Sequence, residues 1–375
     1  MAGIYIHIPF CKQACTYCNF HFSTSLKNKK RVLDAIIKEI ENFVVPQNTI
    51  INTIYFGGGT PSILESVELD LIFRALSKFN ISPSAEITLE ANPDDITPIN
   101  LNLWHKAGVN RLSVGVQSFQ DEELRFMNRA HGSREALESI KEINDSPIHN
   151  FSVDIIYGSQ FLSDENLKAN LEILIKQKVP HISCYALTVE SKTALHHLIQ
   201  QRKVVDVDPE KQSRQFLLIM SELKKAGYNH YEISNFSLPG KESRHNRSYW
   251  QGLPYFGFGP AAHSYNGSDI RSWNVANNIE YAKSLEDNSH VQTKEILTDV
   301  QQMNEMIMIS LRTSEGLNAS VFKSKFGEKK FHELQKNIQK HLGRNHVVAK
   351  ENHYILTEEG NLFADGIAAD LFLVK

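Results

Sequence analysis

Apolar positions in the first two-thirds of the chain repeat with a period that alternates between two and about 3.6 residues. The period-two stretches read as strands at Ile4–Ile8, Thr53–Phe56, Glu86–Glu90, Arg111–Val116, Phe151–Ile156 and His181–Leu187. Helical stripes fill the intervals: Val32–Phe43, Val67–Lys78, Asn100–Ala107, Arg134–Ile143 and Asn166–Lys176, with Glu210–Ala226 and a short apolar piece, Tyr231–Ile233, after the last strand. Strand and helix in alternation predict parallel strands covered by helices, an α/β fold of complete or partial (β/α) TIM-type barrel architecture. In such barrels chemistry gathers at the C-terminal ends of the strands.

Beyond Gly227 the pattern changes. A polar-aromatic stretch, Gly227 to Phe236 and then Arg244-His-Asn-Arg-Ser-Tyr-Trp250, reads as a loop. Gly257-Phe-Gly-Pro-Ala-Ala-His-Ser264 reads as a glycine loop that could close the barrel, and Gly267 to Leu297 as a connector in which apolar periodicity fades. The tail predicts helices at Met303–Leu311, Ala319–Phe326 and Phe331–His341, a hairpin from His346 to Leu356 and a last helix, a small helical, winged-helix-like domain. The expected division is a barrel over residues 1–235, a loop and connector over 236–297, and a C-terminal domain over 298–375.

Composition narrows the class. In 375 residues, 41% hydrophobic and 22% charged with a net charge of -3 describe an ordinary globular chain with no basic excess. The segment expected as third tail helix mixes charge signs, so no nucleic-acid partner is expected and a lid or docking role is favoured. The first ten residues run as a strand into a cysteine motif with no export signal ahead of them, and no apolar run reaches the ~18 residues of a membrane span. A cytoplasmic location is expected.

Three of the four cysteines fall in Cys11-Lys-Gln-Ala-Cys15-Thr-Tyr-Cys18. So close a set forms no unstrained disulfide, and three soft ligands suit zinc or an iron–sulfur cluster. His21 could complete a Cys3His zinc knuckle; without it, three ligands leave one iron of a cluster open. Cys184 reads as a small core hydrophobe. After the second strand, Gly57-Gly58-Gly59-Thr60 can bring backbone N–H groups close to a carboxylate or phosphate, or be a plain turn. Glu90, at the next strand end, is a candidate acceptor or a turn carboxylate. Gln117 ends the fourth strand, Arg129 could clamp a carboxylate, and Asp154 in an apolar strand is either a ligand contact or half of a buried salt bridge. His245 with Tyr249 and Trp250 could make a flat aromatic pocket with an axial imidazole, or be a structural histidine.

The cysteine spacing, with Tyr17 before Cys18, Tyr5 before Cys11 and Phe20 in place of a further cysteine, resembles the radical S-adenosylmethionine (SAM) proteins, in the branch of oxygen-independent coproporphyrinogen III oxidase and its haem-chaperone relatives. The resemblance implies a [4Fe–4S] cluster on Cys11, Cys15 and Cys18, with SAM on the open iron and radical formation when SAM is cleaved. It implies SAM contacts from Tyr5, Tyr17, Gly57, Gly58, Gly59, Thr60, Glu90, Gln117, Arg129 and Asp154, with Ala186 lining the cavity. His245-Asn246-x-x-Tyr249-Trp250 matches the HNxxYW motif of the chaperones, which implies haem binding by those four residues. Expected partners are then a haem acceptor, which could sit at a membrane, and an electron donor such as flavodoxin or ferredoxin. Phe20, the short segment before Cys11 and the HNxxYW motif favour a haem carrier over the oxidase; an RNA-modifying radical SAM enzyme fits the architecture but not the charge. Whether SAM is turned over, and so whether the chain is an enzyme, is left open by these residues.

Overall fold

A computed structural model describes residues 1–289 and 292–374; His290 and Val291, within the expected connector, and Lys375 of the tail lie outside the described residues. The first half runs β1 (Ala2–Ile8), α1 (Lys29–Asn42), β2 (Ile50–Gly58), α2 (Ser66–Leu76), β3 (Asn80–Ala91), α3 (Pro98–Ala107), β4 (Arg111–Gln117), α4 (Asp121–Phe126), α5 (Ser133–Asn144), β5 (Phe151–Tyr157), α6 (Asp164–Lys176) and β6 (His181–Ala186). β1 to β6 pair in parallel in chain order. Local chemistry sets the helix ends: Thr97 caps α3 through the N–H of Asn100 with Pro98 in the first turn, and Gly108 closes it at a φ of 108°.

The two faces of this sheet divide cleanly. Ile4, Ile6, Ile54, Phe56, Leu89, Leu112, Val114, Val153, Ile155, Ile182 and Cys184 point outward into the main core under the helices. Cys184 packs there as expected. The alternate residues form the barrel's inner face, which is polar: Thr53 and Tyr55, Glu86, Thr88 and Glu90, Arg111 and Ser113, Ser152 and Asp154, His181 and Ser183. Period-two patterning therefore carries the fold on one face and the chemistry on the other.

After β6 come α7 (Ala194–Gln200), α8 (Pro209–Lys225), β7 (Asn229–Glu232), β8 (Asn235–Ser237), α9 (Arg244–Trp250), β9 (Tyr255–Phe258), β10 (His263–Tyr265), β11 (Ile270–Asn274), α10 (Asn278–Glu286) and β12 (Gln292–Ile296). Two expectations are corrected here. The polar-aromatic stretch is not a loop but a β7–β8 hairpin followed by α9, and the connector is ordered as an antiparallel extension, so the sheet reads β12-β11-β10-β9-β1-β2-β3-β4-β5-β6-β8-β7. Strands of three to five residues are too short for periodicity to register.

The C-terminal part holds α11 (Asp299–Leu311), β13 (Leu317–Asn318), α12 (Ala319–Gly343), β14 (Val347–Lys350), β15 (His353–Leu356) and α13 (Ala364–Leu371) around its own core of Ile307, Leu311, Phe322, Leu334, Ile338 and Ile367. α12 breaks at Gly327, whose φ of 85° lies outside the helix, and so corresponds to the two expected helices. Residues 312–314 dock on the sheet's edge: Ile233 N–H donates to Arg312 O at 3.0 Å and Ser314 N–H to Tyr231 O at 3.1 Å.

Candidate functional site

The strand ends of β2 to β6 and the cysteine loop enclose a cavity of about 440 Å³. The loop is pinned by its backbone: Cys11 N–H to Ser23 O, Thr16 N–H to Met127 O, and Leu195 N–H to Thr16 O. Asn128 adds its amide, donating to Ala14 O at 2.7 Å. Cys11, Cys15 and Cys18 are free, half-buried and all line the cavity. His21 does not join them; its Nε2 bonds to Asn278 Oδ1 at 2.7 Å and its ring stacks near His7. Among the described residues no three Cys, His, Asp or Glu side chains converge on one ion position. Burial pushes the Cys11 thiol up to about 11, against the pull of the Thr60 hydroxyl.

Opposite the cysteines stand the polar strand ends. Glu90 accepts from Tyr55 OH at 2.8 Å and from Gly58 N–H at 3.2 Å; burial pushes it up to about 7. Burial likewise lifts Asp154 to about 6, and its Oδ1 is buried without a partner. The buried ion pair of the interior is Arg111 with Glu86, at 3.9 Å, so Asp154 is not its acid. Arg129 donates through Nη2 to Asn92 Oδ1 and Gly115 O, both at 2.7 Å, holds Nη1 3.2 Å from Cys15 Sγ, and leaves Nε unpartnered. Gln117 sits at a φ of 70°, a strained conformation for a non-glycine residue, beside an irregularity of the β4–β5 register. Gly58, Gly59 and Thr60 line the cavity with Tyr17 and Ala186, whereas Tyr5 and Gly57 lie one layer below. Gly58 has a φ of +106°, and a Cβ there would stand 2.5 Å from the His7 ring.

α9 is the second feature. Ser243 caps it, and the backbone N–H groups of Arg244 and His245 donate to the two oxygens of Glu86 at 3.1 and 3.0 Å. A carboxylate on the first turn favours the helix electrostatically. Residues four apart share a helix face, so His245 and Tyr249 form one stripe, Asn246 and Trp250 the next. The first turns into the barrel: His245 is 1% exposed, Nδ1 bonds to Thr53 Oγ1 at 2.8 Å, Nε2 to the Tyr249 hydroxyl at 2.9 Å, and the ring stacks on Tyr55. Glycine at position 3 leaves room for this contact: a Cβ there would stand 2.9 Å from Thr53 Oγ1 and 3.3 Å from the imidazole. Burial holds the ring neutral, with its pKa down at about 3. Both nitrogens of the imidazole expected as an axial ligand are thus engaged within the protein. Asn246, Tyr249 and Trp250 instead wall a chamber of about 1330 Å³ closed by β7, β10, β11 and the C-terminal α11. Tyr185 and Asn246 border both cavities.

Comparison with known proteins now adds to this geometry. Residues 5–174 match the radical SAM superfamily model and residues 297–363 the HemN C-terminal domain. The chain is 31% identical to the haem chaperone HemW of Bacillus subtilis over 98% of each chain, and 32% identical to that of Lactococcus lactis over 86% of this chain and 84% of the relative. The solved structure of Escherichia coli coproporphyrinogen III oxidase (HemN) superposes with a TM-score of 0.84 at 21% identity, over 99% of this chain and 90% of that one, which establishes the fold. The chain belongs to the HemW family of radical SAM proteins.

Membership implies a [4Fe–4S] cluster and SAM. The cavity fits both: three free thiols line it, and among the described residues no three possible ligands converge on one ion position, which suits a cluster rather than a single ion. The unpartnered Asp154 Oδ1 and Arg129 Nε are polar atoms awaiting a polar ligand. Sequence reasoning overlooked Asn92, which orients Arg129, and Tyr185, which faces inward beside Cys184. The alternation of β6 carried the signal for Tyr185. For Asn92 the signal was its place two residues after Glu90 at a strand end.

Proposed function

We propose that this chain is a haem chaperone that carries haem and hands it to an acceptor protein, with a [4Fe–4S] cluster and SAM in the adjoining cavity. The observation that carries this reading is the position of the HNxxYW helix: three of the motif's four side chains wall a chamber about three times the volume of the SAM-sized cavity and in contact with it. So large a space, faced by Tyr249, Trp250, Tyr255 and Tyr265, suits a flat macrocycle. Cys11, Cys15 and Cys18 would hold the cluster, and Glu90, Gln117, Arg129 and Asp154 would hold SAM. When bound, cluster and SAM supply one-electron chemistry; the protein contributes position and shielding from water. Haem would rest on Asn246, Tyr249 and Trp250, with His245 fixing Tyr249 from behind.

An acceptor protein follows from that role, as does an electron donor of the flavodoxin or ferredoxin kind. No helix among the described residues is long and apolar enough to cross a membrane. The test is a haem titration of anaerobically reconstituted protein followed by its Soret band, with carbon dioxide release from coproporphyrinogen assayed in parallel. Saturable haem binding and no carbon dioxide are expected. Carbon dioxide release without haem binding would move the assignment to the oxidase.

A further inference from the structure

Two N–H donors at the wall of the chamber have no acceptor. Trp250 Nε1 and Arg312 Nε are each buried without a hydrogen-bond partner, although buried donors in folded proteins nearly always find one. The groups face each other, the Arg312 guanidinium carbon standing 5.4 Å from the centre of the Trp250 ring. Trp250 comes from α9 and Arg312 from the end of α11, so the pair is made between the barrel and the C-terminal part. The chamber's other arginines are compensated within it: Arg247 bonds to Glu315 and Arg271 to Glu305, and both glutamates line the same chamber. Arg312 differs. The acid it bonds, Asp365 at 2.6 Å, is 82% exposed and does not line the chamber, so solvent screens that pair; on the chamber side the buried Glu232 feels the guanidinium's charge but forms no ion pair with it.

We propose that Trp250 and Arg312 form a carboxylate-anchoring subsite of the chamber, which takes a propionate-type side chain of a tetrapyrrole. The inference rests on the haem reading above and gives Trp250 a donor role in addition to its apolar surface. An indole N–H and a guanidinium N–H can share one carboxylate, each donating to an oxygen. Both nitrogens are covered in the present arrangement, so the carboxylate enters as the guanidinium slides from the indole face. Its hold on the exposed Asp365 resists that motion little.

The experiment compares ferric haem with ferric haem dimethyl ester, whose carboxylates are masked, on the full chain, by Soret titration at fixed ionic strength. Trp250→Phe keeps an aromatic ring and removes the N–H; Arg312→Gln removes the charge; Arg312→Lys keeps charge but not the forked donors. Trp250→Phe and Arg312→Gln are expected to weaken haem about ten- to a hundred-fold, with Arg312→Lys between them and the parent. The diester should bind the parent more weakly than haem does, and each variant should weaken the diester less than it weakens haem. Unchanged haem affinity in the variants, or equal losses for haem and diester, would overturn the subsite while leaving haem binding in place. A parent protein that binds neither ligand saturably would overturn the haem reading and the subsite together.

Discussion

The cavity at the strand ends and the chamber beside α9 share two residues, Tyr185 and Asn246, yet are built in opposite ways. In the cavity Glu90 and Gln117 sit at or near the ends of their strands and Asp154 midway along β5, and the parallel register of β2 to β6 fixes their spacing. In the chamber one seven-residue helix supplies the motif, and its placement depends on Glu86, Thr53 and the docking of residues 312–314. The cavity is thus a property of the sheet, and the chamber a property of packing between elements distant in sequence. Substitutions should therefore act locally in the first and cooperatively in the second.

The most complete effect is expected at the cysteines. Serine at Cys11, Cys15 or Cys18 should abolish iron and sulfide incorporation on anaerobic reconstitution, since each removes a cluster ligand, while Cys184→Ser, in the outer core, retains it. Soret titration of the same variants should still show haem binding. If the cysteine variants lose haem as well, the two sites are one functional unit and the contrast fails.

Next comes His245. Alanine there removes a fully packed ring and strands the Thr53 hydroxyl and the Tyr249 hydroxyl, so a loss of about 2–4 kcal/mol is expected from cavity and unpaired polar groups together. Asn246→Ala on the same helix, without such partners, should leave the denaturation midpoint near the parent value. Equal and small stability changes, with the Soret spectrum altered only by His245→Ala, would restore the axial-ligand expectation for the imidazole.

A smaller and purely local effect belongs to Asp154. Asp154→Asn replaces a charged acceptor and should weaken SAM about ten- to a hundred-fold by calorimetry, as expected for roughly 1.5–3 kcal/mol. Its Oδ1 has no protein partner to lose, and a neutral amide escapes the cost of burying a carboxylate, so thermal stability should hold or rise. A large stability drop with unchanged SAM affinity would make it a structural carboxylate.

The two regions also differed in how much the sequence disclosed. Alternation placed every strand from β1 to β6 and, with barrel topology, put Glu90, Gln117 and Asp154 on inward-facing positions of one cavity, although Asp154 lies midway along β5 rather than at its end, because register is set locally by the pleat. Tyr5 and Gly57 follow the same pattern but lie one layer lower, a depth that alternation alone does not give. α9 read as a loop because seven residues give no period, though its i, i+4 pairs His245–Tyr249 and Asn246–Trp250 held the helical signal. Which stripe faced the chamber was not legible. That depended on Glu86 and Gly3, more than 150 and 240 residues away in sequence.

The smallest effect is a difference in pH dependence. Burial raises Glu90 to about 7 and Asp154 to about 6, so in the protein free of cluster and SAM these groups hold protons that the unfolded chain has released above about pH 4.5. Their contribution to stability is full below that pH and is lost as pH rises through 6 to 7. His245 has the opposite sign. Its folded pKa, near 3, lies below the ordinary value of about 6.5, so the unfolded chain takes up a proton first and stability is lost as pH falls below 6.5. Each group can contribute a slope of at most about 1.4 kcal/mol per pH unit. Urea denaturation of Asp154→Asn and of His245→Gln between pH 4 and 8 isolates the two contributions by difference from the parent. The first variant should lose part of the parent's decline as pH rises from about 4 to 6, and the second part of its decline below pH 6.5. Identical pH profiles for the two variants would mean that His245 is not held neutral by burial, and that the helix face turned into the barrel is as open to water as the one facing the chamber.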